Sequence, residues 1–412
     1  MTDRREVYLD SLASTPLAPE VWEAMHPFLR DHFGNPSALH KSGRFLKNAM
    51  GKARQQAADF LGVGSPDEIF FTSGGTEAAN LAVQGFCRGT RSPRREILLG
   101  ATEHPAVCRA ALVLQKEGFV IREIPVDADG RVSPASVRAV LTRETLLVAV
   151  QLVSHDLGTI QPVAEIAREV HAAGAVLCCD ASAACGWVEN NVARLGADIL
   201  WVTPHRFCGP SGVGILYCKT GAEMSPILHG GKQEHGLRPG MENVPAIVGA
   251  GAACELAQRV WRERAARVLQ MQRRLYSRLA IDVEHARLNG PLLGDGRSPH
   301  HLSFSFEGVE GEALMLRLDL KGIAGTSVTG CAVADQKIPR ALRAIGLPDE
   351  LALGSVIFSL HPDLKDDDLD YAADQILGCV IHLRNMSLKW KDRVTGREEF
   401  LCPPRLAPLS RA

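Results

Sequence analysis

Phe70-Phe71-Thr72-Ser73-Gly74-Gly75-Thr76-Glu77-Ala78-Ala79-Asn80 is the stretch from which the fold can be read. An aromatic, strand-forming run ends at Thr72, two glycines follow, and helix-favouring residues begin at Thr76. The pattern predicts a strand that passes through a tight turn directly into a helix. Backbone N–H groups at such a helix start, with the Thr76 hydroxyl beside them, would face an anion, and a phosphate suits them. Taken alone, an ordinary strand-to-helix turn explains the same residues equally well.

Outward from this turn, short runs of branched and apolar residues recur at 68–71, 96–99, 119–124, 146–152, 175–180, 198–203 and 213–218. Helical patterns separate them, such as 162–173, with proline in its first turn and Gly174 after its end. This alternation predicts an α/β architecture with a mostly parallel seven-stranded sheet covered by helices. After a long helical stretch at 245–280 the order changes to strand 301–306, helix 312–318, loop 321–336, helix 337–345, strand 355–360 and helix 365–383. That order predicts a smaller α+β part, and residues 290–300, rich in Gly and Pro, read as a surface loop. From Asn385 the chain is charged and ends in CPPRLAPLSRA, too weakly periodic to specify a packed element.

Composition narrows the function. Hydrophobic residues make up 46% and charged residues 23% of the 412, an ordinary globular balance. Forty-six basic residues against forty-seven acidic ones create no field for nucleic acid or an anionic membrane, so neither partner is expected. No apolar signal region opens the chain and no stretch reaches the ~18–20 apolar residues of a membrane span, which predicts a cytoplasmic protein. Eleven cysteines, an odd number without a secretion signal, predict free thiols rather than a disulfide framework.

The blocks YLDSLASTPLAPEV, FGNPSALHKSGR, FTSGGTEAANLA, ATEHPAV, DLGTIQPVAEI, CDASAA, PHRFCGPSGVGILY, HGGKQEHGLRPGMENVP and RALRAIGLPDELALGSVIFSL follow one another in the chain. Together, from Val7 to Trp390, they resemble the cysteine desulfurase family of NifS/IscS type. The resemblance implies a fold-type-I pyridoxal-phosphate-dependent transferase of class V aminotransferase fold, usually a homodimer with composite sites. It implies a large domain at 14–260, a small domain from 1–13 and 261–390, and a tail at 391–412. It also implies sulfur taken from L-cysteine, carried as a persulfide and passed to a scaffold or acceptor protein of iron–sulfur metabolism.

Residue by residue, the resemblance places Gly75, Thr76, Thr203 and His205 at the cofactor phosphate. Asp180 falls on the carboxylate that keeps the pyridine nitrogen protonated, which makes the ring an electron sink. His104 falls on the histidine that stacks on the ring and moves protons. Cys331, in the loop GIAGTSVTGCAVADQKIPRALRAIG, falls on the sulfur-accepting nucleophile. Plainer roles stay open for each: Asp180 as a turn cap, His104 as a packed histidine, Cys331 as an unactivated loop thiol.

The pattern breaks at one decisive position. Arg206 stands where the family has the lysine that bonds the cofactor, and a guanidinium has no free lone pair for an aldehyde. His155 replaces an Asn at the ring oxygen, Ala183 a Gln on the same edge, and Met241 a Thr that reaches across the dimer. Ile357 replaces the Arg that clamps the substrate carboxylate, a contact worth about 1.5–3 kcal/mol. Lys232 could supply another amine, or be a solvated loop lysine. Cys178, Cys179, Cys185 and Cys208 crowd the same region in no standard metal spacing, and adjacent strand positions 178 and 179 would face opposite ways, so no metal ligands are assigned.

Three expectations follow. The leading one is a desulfurase-like protein that keeps the fold and partner surfaces, with a regulatory, scaffold or persulfide-carrier role and with pyridoxal phosphate held noncovalently or absent. The alternative is an active desulfurase working through a Cys331 persulfide. The third is a metal or iron–sulfur carrier using the clustered cysteines.

Overall fold

Seven strands, six within a residue of their expected bounds and one, Thr145–Ala149, ending three residues before the expected 152, join in one sheet because their side chains are mostly apolar on both faces. The structure is a computed structural model and describes residues 5–328 and 338–406. Across the sheet the order is Ile69–Thr72, Gly214–Cys218, Ile199–Val202, Val176–Asp180, Thr145–Ala149, Glu96–Gly100 and Val120–Ile124. Gly214–Cys218 runs antiparallel to both neighbours, and the other pairings are parallel. Four central strands have every residue buried, whereas the edge strand Val120–Ile124 turns Arg122 and Glu123 to solvent, which discourages further pairing.

Helices cover both faces. One core packs the helices Lys41–Leu61 and Val163–Ala172 with the first half of Val244–Asp282; the other packs Gly75–Asn80 and Pro105–Leu114. Cys178 belongs to the second of these cores and Cys179 to the first, as the strand alternation requires. Residue 162 differs from expectation: Pro162 is the N-cap of Val163–Ala172 rather than part of its first turn. Gly174 does end that helix, with φ 68°.

A second, antiparallel sheet is ordered Thr326–Ser327, Ser355–Ser359, His301–Phe306 and Ala286–Leu288. Its own core includes Phe304, Phe306 and Phe358, closed by the helix Asp366–Met386. Val7–Tyr8 pairs parallel with Ile323–Ala324, so the chain start lies against the C-terminal part. The expected boundary at residue 260 falls inside the continuous 39-residue helix Val244–Asp282, which belongs to both cores.

The end of the chain departs from its sequence pattern. Leu388–Val394 is a helix, and Arg393 is buried in an ion pair with Glu307 at 2.8 Å, their side chains 3% and 1% exposed. Glu307 also accepts from the N–H groups of Leu401 and Cys402 at 2.7 and 2.8 Å. His285 stacks on Phe400 at 3.7 Å, and the Arg384 guanidinium lies 3.9 Å over Trp390. No helix among the described residues is long and apolar enough to cross a membrane. Removing Arg393 would leave the Glu307 carboxylate buried without its cation, so R393A is expected to lower unfolding free energy by about 3–5 kcal/mol, read by urea denaturation.

Candidate functional site

The parallel strands release their chains at one edge of the sheet, where open α/β sheets bind ligands. Thr203 follows Ile199–Val202, Asp180 ends Val176–Asp180, His104 lies beyond Glu96–Gly100, and His155 lies beyond Thr145–Ala149. The Ser73–Thr76 turn leaves the same edge, because Ile69–Thr72 shares the direction of Ile199–Val202 through their common antiparallel neighbour.

The turn is held closely. Gly74 has φ 154°, and a Cβ on Gly75 would lie 2.7 Å from the Thr203 methyl, so the helix start and Thr203 adjoin. The strand before it is fixed by Arg54, whose guanidinium donates to both Glu234 oxygens at 2.6 and 2.9 Å while Glu234 accepts from Phe71 N–H at 2.8 Å. Arg54 also donates to the Ile69 carbonyl. Ser73 N–H donates to Glu77 at 2.8 Å, which binds Arg238 at 3.2 Å.

Thr203 Oγ1, beside this turn, is buried without a hydrogen-bond partner, and so is His205 Nδ1 two residues along the chain. His155 Nδ1 is a third such atom at this edge. Buried polar groups are nearly always satisfied, so a cluster left open is what a phosphate-bearing ligand would complete. Asp180 uses Oδ1 to accept from Ser182 N–H at 2.9 Å, the turn-capping role considered for it. Thr76 is exposed.

His104 caps the helix Pro105–Leu114, its Nδ1 accepting from Ala106 N–H at 3.1 Å. The neutral ring therefore carries its proton on Nε2. The His155 ring stands 4.7 Å away at 64°, edge to face, and its Nε2 is 3.3 Å from Asp156 Oδ1. The His155 carbonyl accepts from His301 Nε2 at 2.9 Å.

Burial and charge keep these rings neutral. His104 is lowered to about 4 by burial, then by His155, with the Arg206 charge adding. His155 and His205 are each lowered to about 4 by burial and by Arg206. Asp156 is pushed up to about 6 by burial. The Arg206 charge adds to burial in lowering all three histidines and works against burial at Asp10.

The other expected positions differ in exposure. Ile357 is buried in the strand Ser355–Ser359, facing no solvent, and supplies no cation. Ala183 is buried, Met241 is 61% exposed, and Lys232 is exposed in this chain. Cys331 lies outside the described residues. All ten described cysteines are free and buried, and no three His, Cys, Asp or Glu among the described residues gather as a metal site. Burial pushes the Cys178 and Cys179 thiols well up, and Cys185 up as well, as for packed cysteines.

Glu103 was not singled out from the sequence, although it precedes His104 in the same block. Its carboxyl is buried and held well above the carboxylate range, by burial first. Oε1 accepts from Gln151 N–H at 2.7 Å, and Oε2 is buried without a partner. Adjacency to a titratable histidine was the only signal available in the sequence.

Pyridoxal phosphate fits part of this site. The Gly75 turn, Thr203 Oγ1 and His205 Nδ1 could hold its phosphate, and Asp180 could hold a protonated ring nitrogen. Its aldehyde end does not fit a covalent link at residue 206, because arginine offers no condensable amine.

The Aminotransferase class-V family model matches residues 7–371. The cysteine desulfurase IscS of Dictyoglomus turgidum is 37% identical over 391 residues, covering 94% of this chain and 98% of the relative. A cysteine desulfurase of Klebsiella pneumoniae is 37% identical, covering 94% and 96%. Among solved structures, a NifS-like protein superposes with TM-score 0.85 at 32% identity, covering 92% of this chain and all of that one. A NifS-like protein from Rickettsia africae gives 0.81 at 26% identity, covering 91% and 99%.

A histidine held below its unfolded value destabilises the fold under acid, since only the unfolded state takes up the proton readily. Stability from His104, His155 and His205 is thus full above about 6.5 and falls as pH drops toward about 4. Urea midpoints measured between pH 7 and pH 4.5 should fall for the wild type and fall less steeply for H155N.

Proposed function

The chain belongs to the class-V aminotransferase family, and on that premise we propose that it is a sulfur-transfer protein of cysteine desulfurase type, taking L-cysteine with noncovalently held pyridoxal phosphate. What carries this reading is the pair of open buried atoms, Thr203 Oγ1 beside the Gly75 turn and His205 Nδ1 two residues along the chain, at the same edge as Asp180. The near full-length likeness to proteins named cysteine desulfurase favours an active enzyme over the regulatory expectation.

Bound pyridoxal phosphate supplies an aldehyde that accepts an amine and a ring that takes up electrons. The chain's own residues do the rest. Thr203, His205 and the N–H groups from Gly75 onward anchor the phosphate, with Thr76 at the rim. Asp180 keeps the ring nitrogen protonated. Arg206 neither attacks a carbonyl nor accepts a proton, so proton acceptance falls to His155, neutral at pH 7, while His104 offers its Nε2–H as a hydrogen-bond donor. Arg206 can instead hold an anionic group in place. Ile357 leaves the substrate carboxylate without a clamp, which predicts a high KM for L-cysteine. Cys331 is the proposed sulfur acceptor, and the product sulfur passes to a scaffold or acceptor protein.

A second copy of the chain is the proposed partner, and Trp22, Phe33, Phe45 and Met241 are exposed apolar side chains in this chain. The Arg206 and Ile357 departures favour a second reading, a regulatory, scaffold or persulfide-carrier role without turnover.

Sulfide and alanine released from L-cysteine, in the presence of added cofactor, distinguish the two. Slow turnover is expected from the wild type, raised roughly 100-fold or more by R206K, which restores an amine. Cofactor binding without sulfide release by either protein would leave the second reading standing.

A further inference from the structure

The loop that carries His155 is held from outside its own sheet. After the strand Thr145–Ala149 the chain turns back on itself, with Val153 bridged to Ile160. Against this loop lies the segment 296–301, which leads into the strand His301–Phe306 of the second sheet. Ile160 N–H donates to the Gly296 carbonyl at 2.9 Å, and Ser298 N–H to the Gly158 carbonyl at 2.8 Å. Arg297 Nη1 donates to the Leu157 carbonyl at 2.9 Å. The contact on His155 itself comes from His301, whose Nε2 lies 2.9 Å from the His155 carbonyl oxygen.

The residue pattern places 290–300 on the surface, but Arg297, Ser298 and His300 are buried, and so is His301. Their burial follows from these bonds to a loop far away in the chain. A carbonyl oxygen only accepts, so the His301 ring carries its proton on Nε2. Its bare Nδ1 is buried without a partner and faces Gly158, where φ is 73° and a Cβ would stand 2.7 Å from that nitrogen. Glycine at 158 thus makes room for the imidazole, and the imidazole commits its donor to His155. Burial, and then the Arg297 charge, hold His301 down to about 3, so the donor is present at any working pH.

We propose that His301 is a positioning residue: its Nε2–H, by holding the His155 carbonyl, sets where the His155 imidazole stands against His104. The bonds at 157, 158 and 160 secure the returning limb of the loop, and the bond from His301 secures the outgoing limb at the working residue. The two rings stand 4.7 Å apart, edge to face, and His155 Nδ1 is buried and open. Placement matters because a displacement of about 1 Å can cost about 100-fold in rate. The inference rests on the reading of His155 as proton acceptor and adds what fixes it. It also makes that acceptor answerable to the second sheet, since a shift of the strand His301–Phe306 carries the His155 loop with it.

The test begins with the cofactor-free full chain, labelled with ¹³C in its histidine rings. A nuclear Overhauser effect between the His104 and His155 rings, assigned with H155N, is expected in the wild type. It should persist in H301Q, whose amide nitrogen reaches the place of Nε2, and vanish in H301L. With pyridoxal phosphate added, kcat for sulfide release from L-cysteine should fall roughly 10- to 100-fold in H301L. KM and cofactor affinity should stay within about twofold, and H301Q should keep most of the wild-type rate. H301N, polar but too short to reach the carbonyl, should match H301L and decides if H301L fails to fold. A ring contact absent from the wild type or persisting in H301L and H301N would overturn the proposal. So would KM and cofactor affinity lost along with kcat, or equal damage from H301Q and H301L. Sulfide absent from every protein, the wild type included, refutes the desulfurase reading instead, and the ring contact then decides the positioning role by itself.

Discussion

At the carboxyl edge of the seven-stranded sheet the rest of the site depends on keeping His104, His155 and His205 uncharged, which burial does first and the Arg206 charge reinforces. Burial already makes His104, His155 and His205 poor proton binders, and a permanent positive charge among them makes a further charge there more unfavourable. Three neutral rings result, one of which fixes its tautomer by capping a helix. A lysine in the same place could lose its proton and act as a nucleophile; an arginine supplies a fixed field and a donor fork.

The framework carrying that charge is built from constraints of other kinds. Strands buried on both faces make the sheet; the Arg54–Glu234 pair ties the strand before the glycine turn to a distant loop. Gly75 allows the helix start to meet Thr203, and Gly214 lets the neighbouring strand approach Gly74, where a Cβ would stand 2.7 Å from backbone. None of these contacts involves Arg206. Fold and chemistry are separable here because different residues secure them.

The cysteines have unlike surroundings. Most fill space in the cores, where burial holds the thiol protonated and inert. Cys208 differs because Thr15, His361 and Arg264 deliver a hydroxyl acceptor, an imidazole and a guanidinium to it. The same long helix that joins the two cores brings Arg264, so the polar group around Cys208 sits where the two sheets' structures meet.

How much was legible in the residues themselves varies with the range of the forces involved. The seven strands, the glycine turn, the antiparallel second sheet's strands at 301–306 and 355–360, and the missing amine at 206 were all readable, because apolar run length, turn chemistry and side-chain functional groups are local properties. Family likeness also put Asp180, His104 and Thr203 at one edge, although spacing along the chain could not. Only the tertiary structure decided what depends on distant partners: the helix Leu388–Val394 docked by the buried Arg393–Glu307 pair, the neutral protonation of the histidines, the open atoms of Thr203 and His205, and the meeting of Cys208 with His361. Burial and pairing are properties of neighbours that the chain brings together from distant segments, and no short window of sequence contains them.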